Sequence, residues 1–262
     1  MLQRVCATMA LASGMAAAAA DVSLCPDHPI RFAYFEMGAL YSRGVGIDKD
    51  LVDALQKRSG CTFAAEVQPR ARTWMELERG NLDMTASALS TPTRQKFAWF
   101  ADYFVDRNSL LLRTELPTSI QSLPDLVADN RVRVGVVRGF VHGAALDGFV
   151  QELRKLGRLE EVEDQETLYR MLAGRRFDAI FGYPYVYVQY LGQNRVADKV
   201  RVVELTTLPT TRNYLALSRK AFTEAQAQRW QELLNTMRAD GSLQTIFQRH
   251  LGAPAARALL KY

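Results

Sequence analysis

GNLDMTASALSTPTRQKFAWFADYF, Gly80 to Phe104, sets a helix stop, an apolar strand, a hydroxyl-rich turn, one arginine and an aromatic run in succession. The preceding WMELERG carries Trp74 and Leu77 at i,i+3 and ends in Gly80, which is free to take the left-handed conformation that closes a helix. A strand is expected within three residues. LDMTASAL, Leu82 to Leu89, is small and apolar without alternation, the pattern of a strand covered on both faces of a parallel sheet. Ser90-Thr91-Pro92-Thr93-Arg94 ends it. Thr91 suits an N-cap and Pro92 the first helical position, so the stretch predicts a short helix there. Its free backbone N–H groups would stand beside the Arg94 guanidinium, a combination that binds carboxylates.

Outward from this stretch the chain alternates strands and helices, as α/β layers with mostly parallel sheets do. In GIDKDLVDALQKRSG, Gly46 to Gly60, Ile47, Leu51 and Leu55 form one stripe, with Asp48 and Asp50 in the first turn, Lys57 and Arg58 in the last, and Gly60 as the stop. CTFAAEV follows as a strand, and SLLLRTE, Ser109 to Glu115, as another. Glu115-Leu116-Pro117-Thr118-Ser119 reads as a crossover, after which SLPDLVAD and the strand VRVGVV, Val132 to Val137, open a second α/β unit. Helix ETLYRMLAG and strand FDAIF repeat the logic of the first unit, which predicts two lobes built alike. NYLALSRK then reads as a strand, and AQAQRWQELLNTMRADG as an amphipathic helix with Trp230, Leu233, Leu234 and Met237 on one face.

The first 20 residues read as an export signal: Arg4 in a short basic region, an apolar run from Val5 to Met15, and small residues from Ala16 to Ala20 with cleavage after Ala20. The apolar run is too broken by Thr8, Ser13 and Gly14 to span a membrane, and neither Cys6 nor Cys25 follows a lipobox residue. The expected mature chain is periplasmic and not membrane-embedded. Of the formal net charge of +5, Arg4 accounts for one, and the remaining basic residues are scattered among acidic ones. That excludes a nucleic-acid footprint. Three histidines without paired spacing make no metal site, and no nucleophile elbow, P-loop or dinucleotide fingerprint occurs, so no cofactor is expected. Cys25 lies just before the first strand and Cys61 opens the second. If these strands are adjacent and parallel, the two cysteines share one end of the sheet; they form a disulfide there or remain two reduced thiols.

The run G-x-x-D, apolar strand, T-P-x-R and Asp102-Tyr103-Phe104 resembles the family 3 bacterial extracellular solute-binding proteins, the periplasmic amino-acid-binding type. IRFAYFEMG (Ile30 to Gly38), GIDKDLVDAL, VRVGVVRGF, GRRFDAIFGY and the terminal ADGSLQTIFQRHLG match in the expected order. The resemblance implies a two-lobed fold with residues 21–115 and 212–262 in the first lobe and 116–211 in the second. Two hinge strands, near Arg113 to Pro117 and Pro209 to Tyr214, would join the lobes. It further implies a monomer that closes on a small solute and delivers it to an inner-membrane ABC permease.

At the position of Arg94 the family's arginine pairs with the ligand carboxylate, a task suited to a planar fork of donors. Thr91 and Ser90 are candidates beside it. Arg70 and Arg72, just after the second strand, are expected to face the same cleft and to favour an anionic solute, or else to pair with Glu76 or point to water. Tyr34 and Glu36 end the first strand, where Tyr34, Phe35 or Tyr41 would stack on the ligand. The second lobe departs from the family pattern: Tyr183 stands where amino-acid binders place an aspartate for the ligand's ammonium, and Phe140 and Val141 replace hydroxyl residues, leaving backbone N–H groups as anion donors. His142, at a strand end, is a titratable candidate. The rival readings are a dehydratase resembling periplasmic cyclohexadienyl dehydratases, with Glu36 or His142 as acid or base, and an accessory or sensor protein that uses the fold without transport.

Overall fold

Residues 23–261 are described by a computed structural model, so the expected export signal lies outside the described residues. The first unit runs β1 (Ile30–Tyr34), α1 (Ile47–Ser59), β2 (Phe63–Val67), α2 (Arg70–Arg79), β3 (Met84–Ala88) and β4 (Ala98–Asp106). The second runs β5 (Ser109–Arg113), α3 (Leu123–Ala128), β6 (Val134–Val137), α4 (Ala144–Lys155), β7 (Leu159–Val162), α5 (Gln165–Ala173), β8 (Ala179–Gly182), α6 (Pro184–Gln193) and β9 (Val200–Glu204). The chain then returns with β10 (Thr211–Ser218), α7 (Glu224–Ala239), α8 (Ser242–Leu251) and α9 (Ala253–Leu260).

Two five-stranded sheets result, ordered β2-β1-β3-β10-β4 and β7-β6-β8-β5-β9. In each, one strand runs against the other four: β10 pairs antiparallel with β3 and β4, and β5 with β8 and β9. The hydrogen-bonded parallel neighbours are connected through helices, β4 is reached from β3 by a short 3₁₀ turn, and β5 and β10 are the strands that directly follow a passage between sheets.

The first passage is not where the sequence suggested. SLLLR is completely buried and paired on both sides within the second sheet, so the chain leaves the first sheet at Arg107–Asn108 rather than between Arg113 and Pro117. Glu115 to Thr118 form only a surface turn between β5 and α3. A strand's sheet is chosen by partners about 70 to 90 residues away, and no local composition records that choice. The return passage, residues 205–210, overlaps the expected second hinge at Pro209.

Local signals in α1 act as read. Asp48 and Asp50 occupy its first turn, Lys57 and Arg58 its last, and Gly60 closes it at φ 74° with its N–H on the Gln56 carbonyl. Gly80 closes α2 in the same way, at φ 81°. Cys25 and Cys61 are bonded, with Cα atoms 5.3 Å apart, which ties the segment before β1 to the start of its parallel neighbour β2. No helix among the described residues is long and apolar enough to cross a membrane.

Candidate ligand-binding cleft

Strand ends of both sheets converge between the lobes, the place where α/β sheets generally bind small molecules. The first lobe contributes Phe35 and Glu36 after β1, Gln68 to Arg70 after β2, and Ser87 to Arg94 at the end of β3. The second contributes Val137 to His142 after β6, Glu163 to Gln165 between β7 and α5, and Tyr183 after β8. A cavity of about 200 Å³ lies between Phe35, Glu36, Gln68 and Arg70 on one side and Phe140 and Gln165 on the other. The lobes are closed upon it. A β-carbon on Gly139 would stand 2.8 Å from Cα of Ala71, and one on Gly38 2.7 Å from Cα of Val186, so backbone meets backbone where no other residue fits.

Two buried arginines stand on the first-lobe side: Arg70 lines this cavity, and Arg94 lies behind it, outside the lining. The Arg94 guanidinium donates to the carbonyls of Leu89 (3.0 Å) and, across the cleft, Gly139 (2.9 Å), and it lies 3.6 Å from the centre of the Trp74 ring. Arg70 donates to the Ser87 carbonyl at 2.8 Å and lies over Phe35 at 3.9 Å and Trp74 at 5.1 Å. Aromatic faces attract both cations, yet neither guanidinium forms an ion pair among the described residues. Burial pushes both below the ordinary arginine value, Arg70 to about 9 and Arg94 to about 8, with Arg70's charge pressing Arg94 further down. Asp48 favours the charged form of Arg70 and Asp147 that of Arg94 without touching either. Gln68, buried in the same wall, has both amide atoms unpaired. An unspent amide donor therefore lies in the same wall as the buried charge of Arg70.

Beneath the arginines a second network sets the strand ends. Ser87 and Tyr103 are extra residues where the ladders of β10 with β3 and with β4 slip, one bulge on each neighbour of the same strand. Ser87 has φ 48°, a left-handed conformation costly for a serine. Its N–H donates to the Tyr103 hydroxyl (2.9 Å), and both hydroxyls donate to the Asp48 carboxylate, at 2.8 Å from Ser87 and 2.9 Å from Tyr103. Burial raises Asp48 to about 6, opposed by these two hydrogen bonds and by Arg70. At neutral pH it therefore stays largely ionised, which returns a negative charge to the arginine wall.

The second-lobe wall sets Phe140 beside two carboxylates, Glu163 and Asp164, with an uncharged cluster of Tyr183 and His142 behind it. Tyr183 is buried, stacks on Tyr185 with ring centres 5.3 Å apart, and accepts from Asn108 Nδ2 at 3.0 Å. His142 lies between Phe140 and Phe181, 5.0 and 5.5 Å between ring centres; burial pushes it down to about 4, so it is neutral at pH 7, and its Nε2 has no partner.

Several expected site residues sit elsewhere. Arg72 is exposed, because α2 begins at Arg70 instead of near Trp74, and positions two apart on a helix face opposite ways. The predicted helix at Thr91 is a three-residue 3₁₀ turn, Arg94 to Lys96. Thr91 Oγ1 accepts from the Arg94 N–H at 3.2 Å, and Ser90 Oγ from Gln95 at 2.8 Å, so both hydroxyls serve the turn. The Phe140 N–H is taken by the Val137 carbonyl and offers nothing to an anion. Tyr34 stacks on Tyr41 at 4.4 Å in the core, whereas Glu36 lines the cavity and accepts from the Arg43 N–H. Gln68, Trp74 and Asn108 were missed as site residues. Gln68 carried the one usable signal, a polar residue directly after a strand and two before Arg70.

The two sheets, the paired passages between them and the closed cleft define a two-lobed ligand-binding protein. The chain belongs to the bacterial extracellular solute-binding proteins, family 3, whose model matches residues 31–253. Its fold is similar to that of an ancestral arginine-binding protein bound to arginine (TM-score 0.71, 20% identity, 86% of this chain and 98% of that one). It is similar also to the arginine-, lysine-, histidine-binding protein ArtJ of Geobacillus stearothermophilus (0.68, 18%, 86% and 96%) and to a histidine kinase sensor domain with similarity to periplasmic binding proteins (0.71, 17%, 86% and 96%). At these identities the likeness is one of fold. Direct comparison with curated protein sequences finds no match.

Proposed function

We propose that the protein captures a small carboxylate-bearing solute between its lobes and presents it to an inner-membrane ABC permease. The supporting observation is the pair Arg70 and Arg94: two desolvated guanidinium groups, one stacked on Trp74 and one on Phe35, with no carboxylate among the described residues in contact. A bound carboxylate would supply the missing charge, replace the Arg94 bond to the Gly139 carbonyl and engage the Gln68 amide. Arginine and histidine, named with solved structures of similar fold, carry such a group, so the reading agrees with that company. The solute itself need not be an anion overall, since Glu36, Glu163 and Asp164 line the same cavity. Tyr183, closed off by Asn108, supplies no countercharge for an ammonium group. Binding and closure require no bond-making step; ligand contacts to both lobes shift the population of the closed form.

A thermal-shift screen of the mature chain against amino acids, dicarboxylates, aromatic acids and sulfonates tests this. A carboxylate-bearing hit is expected to raise the melting temperature by linkage, and the shift should vanish in Arg94→Ala. A best hit whose shift survives that substitution would sink the proposal.

A further inference from the structure

The first turn of α1 carries two carboxylates with different surroundings. Asp50 turns outward to Arg249 and His250, whereas Asp48 is 3% exposed and reaches the end of β3. A helix N-terminus favours negative charge, so Asp48 can be buried there with no cation among the described residues in contact. Both of its oxygens accept from the Ser87 hydroxyl, at 2.8 and 3.0 Å, and one accepts also from the Tyr103 hydroxyl at 2.9 Å. The Ser87 N–H donates to that same tyrosine oxygen. Ser87 is thus tied by main chain and side chain in the left-handed conformation, φ 48°, that a serine otherwise avoids.

That conformation sets the direction of the strand end beyond it. Ser87 is the extra residue of β3 where the ladder with β10 slips, and without the slip the residues that follow would exchange faces of the sheet. Arg70 donates to the Ser87 carbonyl at 2.8 Å and Arg94 to the Leu89 carbonyl at 3.0 Å, so both guanidinium groups are seated on this one strand end. We infer that Asp48 is a positioning residue of the cleft: by holding Ser87 left-handed it fixes the carbonyls of Ser87 and Leu89, and through them Arg70 in the cavity wall and Arg94 behind it. That role rests on the capture of a carboxylate-bearing solute proposed above, since it aligns the arginines on which capture depends.

Fluorine NMR of the full chain labelled with fluorotryptophan tests the role. The chain has three tryptophans, Trp74, Trp99 and Trp230, and Trp74→Phe assigns the signal of interest. Arg94 lies 3.6 Å and Arg70 5.1 Å from the Trp74 ring, so that signal reports the arginines with no solute present. Asp48→Ala should displace it. Asp48→Asn, which keeps an oxygen for both hydroxyls, should leave it in place. The deciding variant joins Asp48→Ala to Ser87→Gly, because glycine holds a positive φ without support; the Trp74 signal should return to its wild-type position. A signal unmoved by Asp48→Ala would overturn the assignment, and displacement by Asp48→Asn as large as by Asp48→Ala would do the same by making charge the cause. So would a displaced signal, or an unfolded Asp48→Ala chain, that Ser87→Gly does not restore, the result expected of a carboxylate that serves stability alone. No solute enters the measurement, so failure here leaves the capture of a carboxylate standing, and a failed thermal-shift screen leaves this result standing.

Discussion

Arg94 and Gly139 are joined across the cleft by a single hydrogen bond of 2.9 Å, from a guanidinium of the first lobe to a main-chain carbonyl of the second. The contact holds the lobes together and at the same time leaves a buried positive charge facing a neutral acceptor. Arg94→Met should therefore leave the ligand-free protein as stable as before or more so, since a desolvated charge is exchanged for an apolar chain of similar length. The same variant should lose affinity for the solute by about 30-fold or more, on the order of 2 kcal/mol for a missing charged partner. Paired melting curves with and without ligand check both halves.

Gly139 has φ 75°, and its backbone lies against Ala71 of α2. Gly139→Val adds a β-branched side chain in a left-handed conformation where a β-carbon would stand 2.8 Å from a main-chain atom. The lobes should be wedged apart while each sheet stays intact. Small-angle scattering should report a larger radius of gyration with unchanged circular dichroism, and solute affinity should fall.

Asp106 titrates at about 7 in the folded chain, raised from 3.8 chiefly by burial. The native state therefore holds this proton more tightly than the unfolded state. The contribution to stability is fully present below about pH 4 and is lost as the pH rises to about 7, on the order of 4 kcal/mol in all. Asp106→Asn should lack that slope. His142 runs the other way: its value is lowered to about 4, so stability is lost as the pH falls from 6.5 towards 4. Urea denaturation of wild type and Asp106→Asn at several pH values isolates the aspartate, because the histidine is common to both.

The Cys25–Cys61 bond closes a separation of 36 residues. Replacing both cysteines by alanine should lower the unfolding free energy by about 3 to 4 kcal/mol if the constraint acts on the unfolded chain. Reduction of the wild type should reproduce the loss, and no effect from either treatment would show the bond to be idle.

Arg94 and Arg70 were legible as candidates because each follows a strand end, and in an α/β sheet that position already faces the cleft. Arg72 was not separable from Arg70 in the same way. Its direction depends on where α2 starts, and Pro69, Arg70 and Ala71 are each compatible with a loop. Nor could Tyr34 be told from a stacking residue, since its partner Tyr41 is brought to it by a turn with no regular spacing.

What the sequence determined by itself was local and directional: the capped helices α1 and α2, the buried strand at Met84 to Ala88, the repeat of one α/β unit after another, and the arginine beyond the strand. Periodicity and capping act within a few residues, so they can be read there. Tertiary structure alone decided that SLLLR joins the second sheet, moving the passage to Arg107–Asn108. It alone placed Ser87 and Tyr103 in facing bulges around Asp48, left the two arginines without a carboxylate in contact among the described residues, and buried Asp106 against Tyr185 of the second lobe. These outcomes depend on which distant strands pair and on what burial then denies each polar group, and both are properties of the assembled chain.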